Sequence, residues 1–290
     1  MEKNRFNESW LTEREFFDHQ SRSNLLTNEI KKDSKVINNL VDLGCGTGSF
    51  LRWYICKKLT FDTGMLIDND RKLLNSIGPI FRRFLKDKNC TIKKLDTNKY
   101  QFFDLSFQQS SKILLNNKDL FNLSFKFNQY DLISLSALAD LLSKKYIKKL
   151  LSSVDKDKYI YFSLCFNGKI KWLPTNEFDK YITRQFNRHQ IQNKGFGIAL
   201  GSENIKYIES IAKEKSYSFF KKDSSWKIDT FSNKSKLFQQ KYLRIVSNAL
   251  KNDDRTDKNI LKLWISKRME LIKSKKSKLN VGHNDILIKT

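Results

Sequence analysis

The sequence predicts an α/β fold in which helices flank a mainly parallel sheet, and three observations carry that expectation. From Val36 onward, short apolar runs alternate with helix-length amphipathic stretches. A glycine-rich turn, GCGTG at 44–48, separates the first such run from the first such helix. The runs YDLISLSA (130–137) and KYIYFSLCF (158–166) are apolar almost throughout, as strands covered on both faces must be.

The elements follow in order. Residues 1–35 read as a helical lid, with Trp10, Phe16, Phe17, Leu25 and Leu26 recurring among charges, and residues 36–290 read as the main domain. VINNLVDLG is the first strand, TGSFLRWYICKKL the helix after it, and TGMLID the second strand. A helix over about 70–86 should bury Leu73, Leu74, Ile77, Ile80, Phe81 and Phe84, with Pro79 as a point of kinking. Two runs compete for the third strand, CTIKKLD and SKILLNNKD; the second is favoured, which puts the first in an insertion. YDLISLSA leads as the fourth strand into a helix through Leu151, and KYIYFSLCF is the fifth. The segment 167–201 then reads as a long functional loop before a helix over 202–215. YSFFKKDSSWKI alternates as a strand, a helical insert fills 232–277, and VGHNDILIK closes as the last strand.

The bulk numbers bound the partners. With 39% hydrophobic and 13% aromatic residues, the chain can bury a large core without metal or disulfide staples. Its four cysteines, Cys45, Cys56, Cys90 and Cys165, show no C-x-x-C spacing, so free thiols and no metal are expected. The opening MEKNRFNESW is polar and no apolar run approaches the roughly 20 residues of a spanning helix, so the expectation is a cytoplasmic protein with no membrane partner. The net charge of +24 has two readings. One is a surface for polyanions such as nucleic acid. The other is compositional drift, because the excess is mostly Lys, spread along the chain and accompanied by Asn and Ile.

VDLGCGTGSF at 41–50 carries the chemistry. Glycines between a strand and a helix permit positive φ and let the backbone approach a ligand without an intervening Cβ. A dinucleotide fingerprint would read G-x-G-x-x-G, but the spacing here, Gly44, Gly46 and Gly48, is G-x-G-x-G with Asp42 two residues ahead. An acid about 20 residues further on is placed for two ribose hydroxyls, and LIDND at the end of the second strand supplies Asp68 and Asp70, both of which could instead be caps.

D-x-G-x-G-x-G followed by LIDND resembles the first motifs of the class I S-adenosylmethionine-dependent methyltransferases. WLTEREFFDHQSRS, SALADLLS, NRHQIQNKGFGIALG and VGHNDIL resemble stretches of an uncharacterised bacterial group within them. The resemblance implies a Rossmann-like fold with a seven-stranded, mainly parallel sheet, S-adenosyl-L-methionine as cofactor, and methyl transfer. It implies cofactor contacts from Asp42, Gly44, Cys45, Gly46, Thr47 and Gly48; from Asp68 and Asn69; from Asp119 and Leu120, with Asp96 as the alternative adenine acid; and from Ser136. An acidic residue beside a sulfonium and an ammonium also makes electrostatic sense for Asp42.

The acceptor is expected at the carboxyl ends of the fourth and fifth strands. That region offers Asp140 and His189 as catalytic candidates and Asn167, Arg188 and Lys194 as substrate contacts, with Arg184 nearby. His189 has the pKa range of a base near neutral pH. Each has a plainer reading: His189 as a surface residue, Asp140 as a helix cap, His283, Trp172 and Trp226 as core. Arg14, Asp18 and Arg22, four apart, read as a solvated salt-bridge ladder or as part of a lid. Three functions follow: a small-molecule O- or N-methyltransferase, a nucleic-acid methyltransferase, and a cofactor-binding protein without transfer. The second has limited support, since the fourth strand lacks an N/D-P-P-aromatic motif and no Pro-Cys or Thr-Cys pair suggests cytosine chemistry.

Overall fold

A computed structural model describes residues 7–33, 36–124, 126–193 and 195–290. Two helices open it, α1 (Glu8–Ser21) and α2 (Asn24–Lys32), so the expected N-terminal helical segment is a pair; its residues 1–6 and 34–35 lie outside the described part. Then come β1 (Asn39–Leu43), α3 (Ser49–Cys56), β2 (Thr63–Asp68), α4 (Arg71–Leu85), β3 (Cys90–Asp96), β4 (Lys99–Asp104) and β5 (Gln109–Asn117). The second half holds β6 (Leu132–Ser136), α5 (Lys144–Ser152), β7 (Tyr159–Leu173), α6 (Asp179–Gln190), α7 (Asn204–Glu214), β8 (Ser218–Asp223), β9 (Trp226–Ile228), α8 (Asn233–Lys251), α9 (Lys258–Lys273) and β10 (Lys278–Lys289).

One sheet runs in the order β3-β4-β5-β2-β1-β6-β7-β10-β8, with β9 paired to β10. The five strands β5, β2, β1, β6 and β7 are parallel, and β10 lies antiparallel between β7 and β8. Without the β3–β4 hairpin and β9, this is the expected seven-stranded sheet in the order third, second, first, fourth, fifth, seventh, sixth. The sheet has ten strands rather than seven because CTIKKLD and the following KYQFFD fold back as a hairpin on the β5 edge, and a short β9 covers the start of β10. SKILLNN is the parallel third strand, bonded to β2.

Burial follows the period of the strands. Leu40 and Leu132 face a core shared with α2, α3 and α4, whereas Val41, Leu43, Ile133 and Leu135 face a core shared with α5 and α7. Asp42, Ser134 and Ser136 therefore point to the α2–α3 side. A third core, rich in Trp and Phe, joins α1, α6, α8 and α9 to the projecting halves of β7 and β10. Trp172 and Trp226 are packed there, as their plainer reading held.

One expectation needs correction. The segment 167–201 is not one long loop: Asn167–Leu173 continue β7, and Asp179–Gln190 form α6 with Ile182, Gln185 and Phe186 inward. The apolar spacing in this helix was masked in the sequence by Arg, Asn and Gln on its other faces. Pro79 lies inside helix α4, whose N-cap is Asp70, accepting from the Lys72 amide at 2.9 Å.

Candidate functional site

The path of the chain reverses between β1 and β6: strands added through β2 go one way and strands added through β6 the other. A doubly wound sheet opens a crevice at the carboxyl ends of its strands at such a switch point. The residues there are the end of β1, the glycine turn, Asp68, Asn117–Leu120, Ser136 and the short turn of 3₁₀ helix Ala139–Leu141.

Backbone bonds fix the turn. The amides of Gly44 and Cys45 both donate to the Ile67 carbonyl, at 2.9 and 3.0 Å, and the Gly48 amide donates to the Cys45 carbonyl at 2.8 Å. Gly44, Gly46 and Gly48 have φ of 70°, 54° and 81°, which L side chains rarely adopt. A Cβ on Gly44 would also stand 3.0 Å from the Leu138 side chain, and one on Gly46 would stand 3.1 Å from Leu11 of α1. The glycine turn at the switch point of a doubly wound sheet makes the fold Rossmann-like. Within the turn Cys45 is buried, and burial pushes its thiol well above the usual range, so it acts as packing. Thr47 is buried, and its carbonyl accepts from Arg52 at 2.5 Å.

The acids are held differently. Asp42 is 1% exposed; Ser134 donates to its Oδ1 at 2.7 Å, and its Oδ2 has no hydrogen-bond partner. Burial raises its pKa to about 7. Asp68 braces the turn, accepting from the Gly46 amide at 2.8 Å through Oδ2 and from the Asp70 amide at 2.8 Å through Oδ1. Burial raises its pKa too. Each oxygen keeps a lone pair for a ligand hydroxyl. Asn69 beside it is exposed. Asp119 accepts from the Phe121 amide at 3.0 Å, and Leu120 is buried next to Gly44 and Leu138. Asp96 ends β3 in the edge hairpin, on the carboxyl-end side of the sheet but two strands out from β5 and so at the edge rather than at the switch point.

The N-terminal helix closes over this crevice through charged groups. Arg52 of α3, fully buried, receives Glu15 of α1 in two hydrogen bonds of 2.6 Å. His19 lies 3.0 Å from the Ser49 carbonyl, and burial lowers its pKa to about 3, so it is neutral and donates through Nε2. Arg22 donates to Ser136 at 2.8 Å and reaches Ser49 at 3.4 Å. The solvated ladder expected for Arg14, Asp18 and Arg22 is overturned. Arg14 and Asp18 do pair at 2.9 Å, but Asp18 is 4% exposed and also receives the Trp226 indole N–H, while Arg22 is 3% exposed. Glu15, His19 and Arg52 escaped the sequence reading, although an arginine inside the apolar run SFLRWYIC was a visible signal of a buried ion pair.

The acceptor-side candidates are dispersed. Asp140 is buried in the turn after β6, at the crevice. Asn167 lies on β7 past its pairing with β6, donating to Asn284 at 3.0 Å. Arg188 and His189 are on the last turn of α6, where Arg188 pairs with Asp253 at 2.9 Å and so faces the segment between α8 and α9; Arg184 stands over the Tyr181 ring. Lys194 lies outside the described residues. His283 is buried in β10 against Trp226, with burial lowering its pKa to about 3. The cysteines are free. Among the described residues no helix is long and apolar enough to cross a membrane, and no group of three His, Cys, Asp or Glu side chains could hold a metal.

No family model matches the chain, and neither does any curated protein. Among solved structures it is similar to the YcgJ protein from Bacillus subtilis, with 10% identity, TM-score 0.47, and 93% of this chain and 97% of that one covered. It is also similar to the cyclopropane synthase MmaA2 from Mycobacterium tuberculosis, at 10% identity and TM-score 0.43 over 91% of this chain and 83% of that one. A third is phosphoethanolamine N-methyltransferase 2 from Haemonchus contortus, in complex with phosphomonomethylethanolamine and S-adenosylhomocysteine. It shows 11% identity and TM-score 0.44 over 99% of this chain; the chain spans 59% of that protein. None of these similarities decides the reaction of this chain.

Proposed function

We propose that the chain is an S-adenosyl-L-methionine-dependent methyltransferase transferring to oxygen or nitrogen of a small-molecule acceptor in the cytoplasm. The observation that carries this reading is the glycine turn at the switch point, with the unpartnered Oδ2 of Asp42 behind it. A buried carboxylate oxygen without a donor is costly unless a cationic ligand meets it. The donor set fits the cofactor: Asp42 for its positive end, Asp68 for the ribose, Asp119 and Leu120 for the adenine. When bound, S-adenosylmethionine supplies an electrophilic methyl on sulfur.

The protein's own part is alignment and exclusion of water. The cover of α1, fixed by Glu15, His19 and Arg22, encloses the crevice and suits an acceptor small enough to enter it. For an acceptor that must lose a proton, Asp140 at the end of β6 and His189 are the proposed bases, with Asn167, Arg188 and Lys194 as proposed contacts. His19 and His283 are held neutral by burial and are poor candidates. Calorimetry with S-adenosylhomocysteine tests cofactor binding, and radiolabelled methyl incorporation into fractionated extract tests transfer. Binding without label in any fraction favours a non-catalytic cofactor-binding protein.

A second reading, transfer to nucleic acid, draws on a groove of about 1110 Å³ lined by Phe121, Phe196, Ile198, Tyr207, Lys145 and Lys206, next to Leu120. Cationic and aromatic side chains together suit single-stranded nucleic acid. An RNA-binding titration decides, because phosphate contacts weaken steeply as salt rises.

A further inference from the structure

Arg22 is a buried cation with no carboxylate in direct contact, although Asp18, Asp285 and Glu15 act on it from further away. It is 3% exposed, its Nε has no hydrogen-bond partner, and among the described residues it has no carboxylate within 4.0 Å. The nearby acids are engaged elsewhere. Glu15 belongs to Arg52; Asp18 belongs to Arg14 and the Trp226 indole; Asp285 accepts from the Ser23 and Leu164 amides and the Tyr161 hydroxyl. The guanidinium lies instead on the rings of Phe50 and Trp53, 5.9 and 5.7 Å from their centroids, and donates to the neutral hydroxyl of Ser136. A charge in so apolar a place is expensive unless an anion joins it.

Asp42 is its mirror image, a buried carboxyl with no cationic side chain in direct contact, bonded through one oxygen to the neutral hydroxyl of Ser134. Ser134 and Ser136 are two apart on β6 and face the same side, so their hydroxyls are spaced by about 7 Å along the strand. One residual positive group and one residual negative group thus stand a short gap apart, beside the glycine turn and under α1. A group with a carboxylate and an ammonium on one carbon fits such a gap in one orientation.

Resting on the methyltransferase reading above, we propose that Arg22 is the anchor for the α-carboxylate of the cofactor's amino-acid end, facing Asp42, which takes the ammonium. The lid helix then carries a ligand contact and does not merely cover the site. Arg22 becomes fully paired only when the cofactor is bound.

The test compares two ligands, S-adenosylhomocysteine and 5′-methylthioadenosine, which keeps the nucleoside but lacks the amino acid. In calorimetry, Arg22→Met should weaken S-adenosylhomocysteine by roughly 10- to 100-fold, the range of a charge-assisted hydrogen bond, and leave methylthioadenosine within about threefold. Arg22→Lys should fall between native and Met. Because the native guanidinium touches no carboxylate in the free protein, Arg22→Met should also unfold at the same or a higher temperature than native without ligand. Unchanged S-adenosylhomocysteine binding, equal losses for both ligands, or a lower unfolding temperature in the free Met variant would each overturn the proposal. If native protein binds neither ligand, the methyltransferase reading falls and takes this one with it; if native binds both equally, only the carboxylate anchor falls.

Discussion

Arg52 grips Glu15 through two hydrogen bonds of 2.6 Å, and with its remaining nitrogen holds the Thr47 carbonyl of the glycine turn at 2.5 Å. One buried guanidinium thereby ties α1 to the glycine turn, the proposed cofactor loop. Removing one partner of a buried pair leaves the other charged and unpaired, at a cost of about 3–5 kcal/mol. Glu15→Ala should therefore lower the unfolding temperature on the order of 10 °C. Amide exchange should accelerate in Glu8–Ser21 more than in the central strands. A loss below 1 °C, or exchange that rises uniformly, would show that the pair does not hold the lid.

Asp68→Asn tests the brace under the turn. The carboxylate accepts two backbone amides, from Gly46 and Asp70. Asparagine can replace one acceptor oxygen, but its amide nitrogen must then face a second N–H donor, leaving a clash of donors worth about 1–3 kcal/mol. The expected outcome is a roughly 10- to 100-fold loss in S-adenosylhomocysteine affinity, since the turn loosens and the proposed ribose contact is halved. Titration calorimetry on the variant reads it directly, and native-like affinity would remove Asp68 from the site.

The parts of the fold that were legible in the sequence are those where local pattern and tertiary role agree. VDLGCGTGSF marks its own strand, turn and helix start, because the glycines are required by φ at three positions. YDLISLSA and KYIYFSLCF are apolar because both faces of β6 and β7 are covered. The edge hairpin was ambiguous because CTIKKLD reads as a strand as well as SKILLNNKD does, and only pairing with β2 distinguishes them. In the candidate site, the glycines, Asp42 and Asp68 announce themselves by spacing. Arg22, Glu15 and Arg52 do not, since their meaning depends on long-range partners: Arg22 meets Ser136, 114 residues away. The spacing of Arg14, Asp18 and Arg22 correctly placed the first two on one helix and Arg22 at its C-cap, but helical spacing says nothing about which face is buried.

With Asp42 as the proposed partner of the cofactor's ammonium, binding is expected to depend on pH. Burial raises its pKa to about 7, opposed by Ser134, Arg22 and Arg52 and assisted by Asp68. A carboxyl with a raised pKa is mostly protonated below 7, whereas the proposed partner, an ammonium beside a sulfonium, requires the ionised form. Binding at pH 6 must then expel about one proton, and affinity should fall by up to tenfold per unit below 7. The measurement is calorimetry at pH 6 in two buffers of different ionisation enthalpy. The buffer-dependent heat should be present in native protein and absent in Asp42→Asn; the same heat in both would assign the proton elsewhere.

Burial of His283 predicts a loss of stability in acid with a definite sign. Its pKa is lowered to about 3 by burial and by Arg14, while Nδ1 donates to the Val281 carbonyl at 3.0 Å. The unfolded chain takes up a proton at this histidine below about 6.5, but the folded chain does not until about 3. The stability that His283 contributes is therefore complete above 6.5 and falls by about 1.4 kcal/mol per unit as pH drops towards 3. His19, lowered to about 3 as well, adds a loss of the same sign. Asp42, Asp68 and Asp285 act the other way, because a raised carboxyl pKa favours the folded state as pH falls. The net profile of the native protein is thus a poor test of any one group. The difference between native and His283→Asn isolates it: the native advantage should shrink by about 2 kcal/mol between pH 6.5 and pH 5, whatever the carboxyls do. Urea unfolding of both proteins at the two pH values gives that difference, and a native advantage independent of pH would mean that His283 titrates in the fold as it does in the unfolded chain.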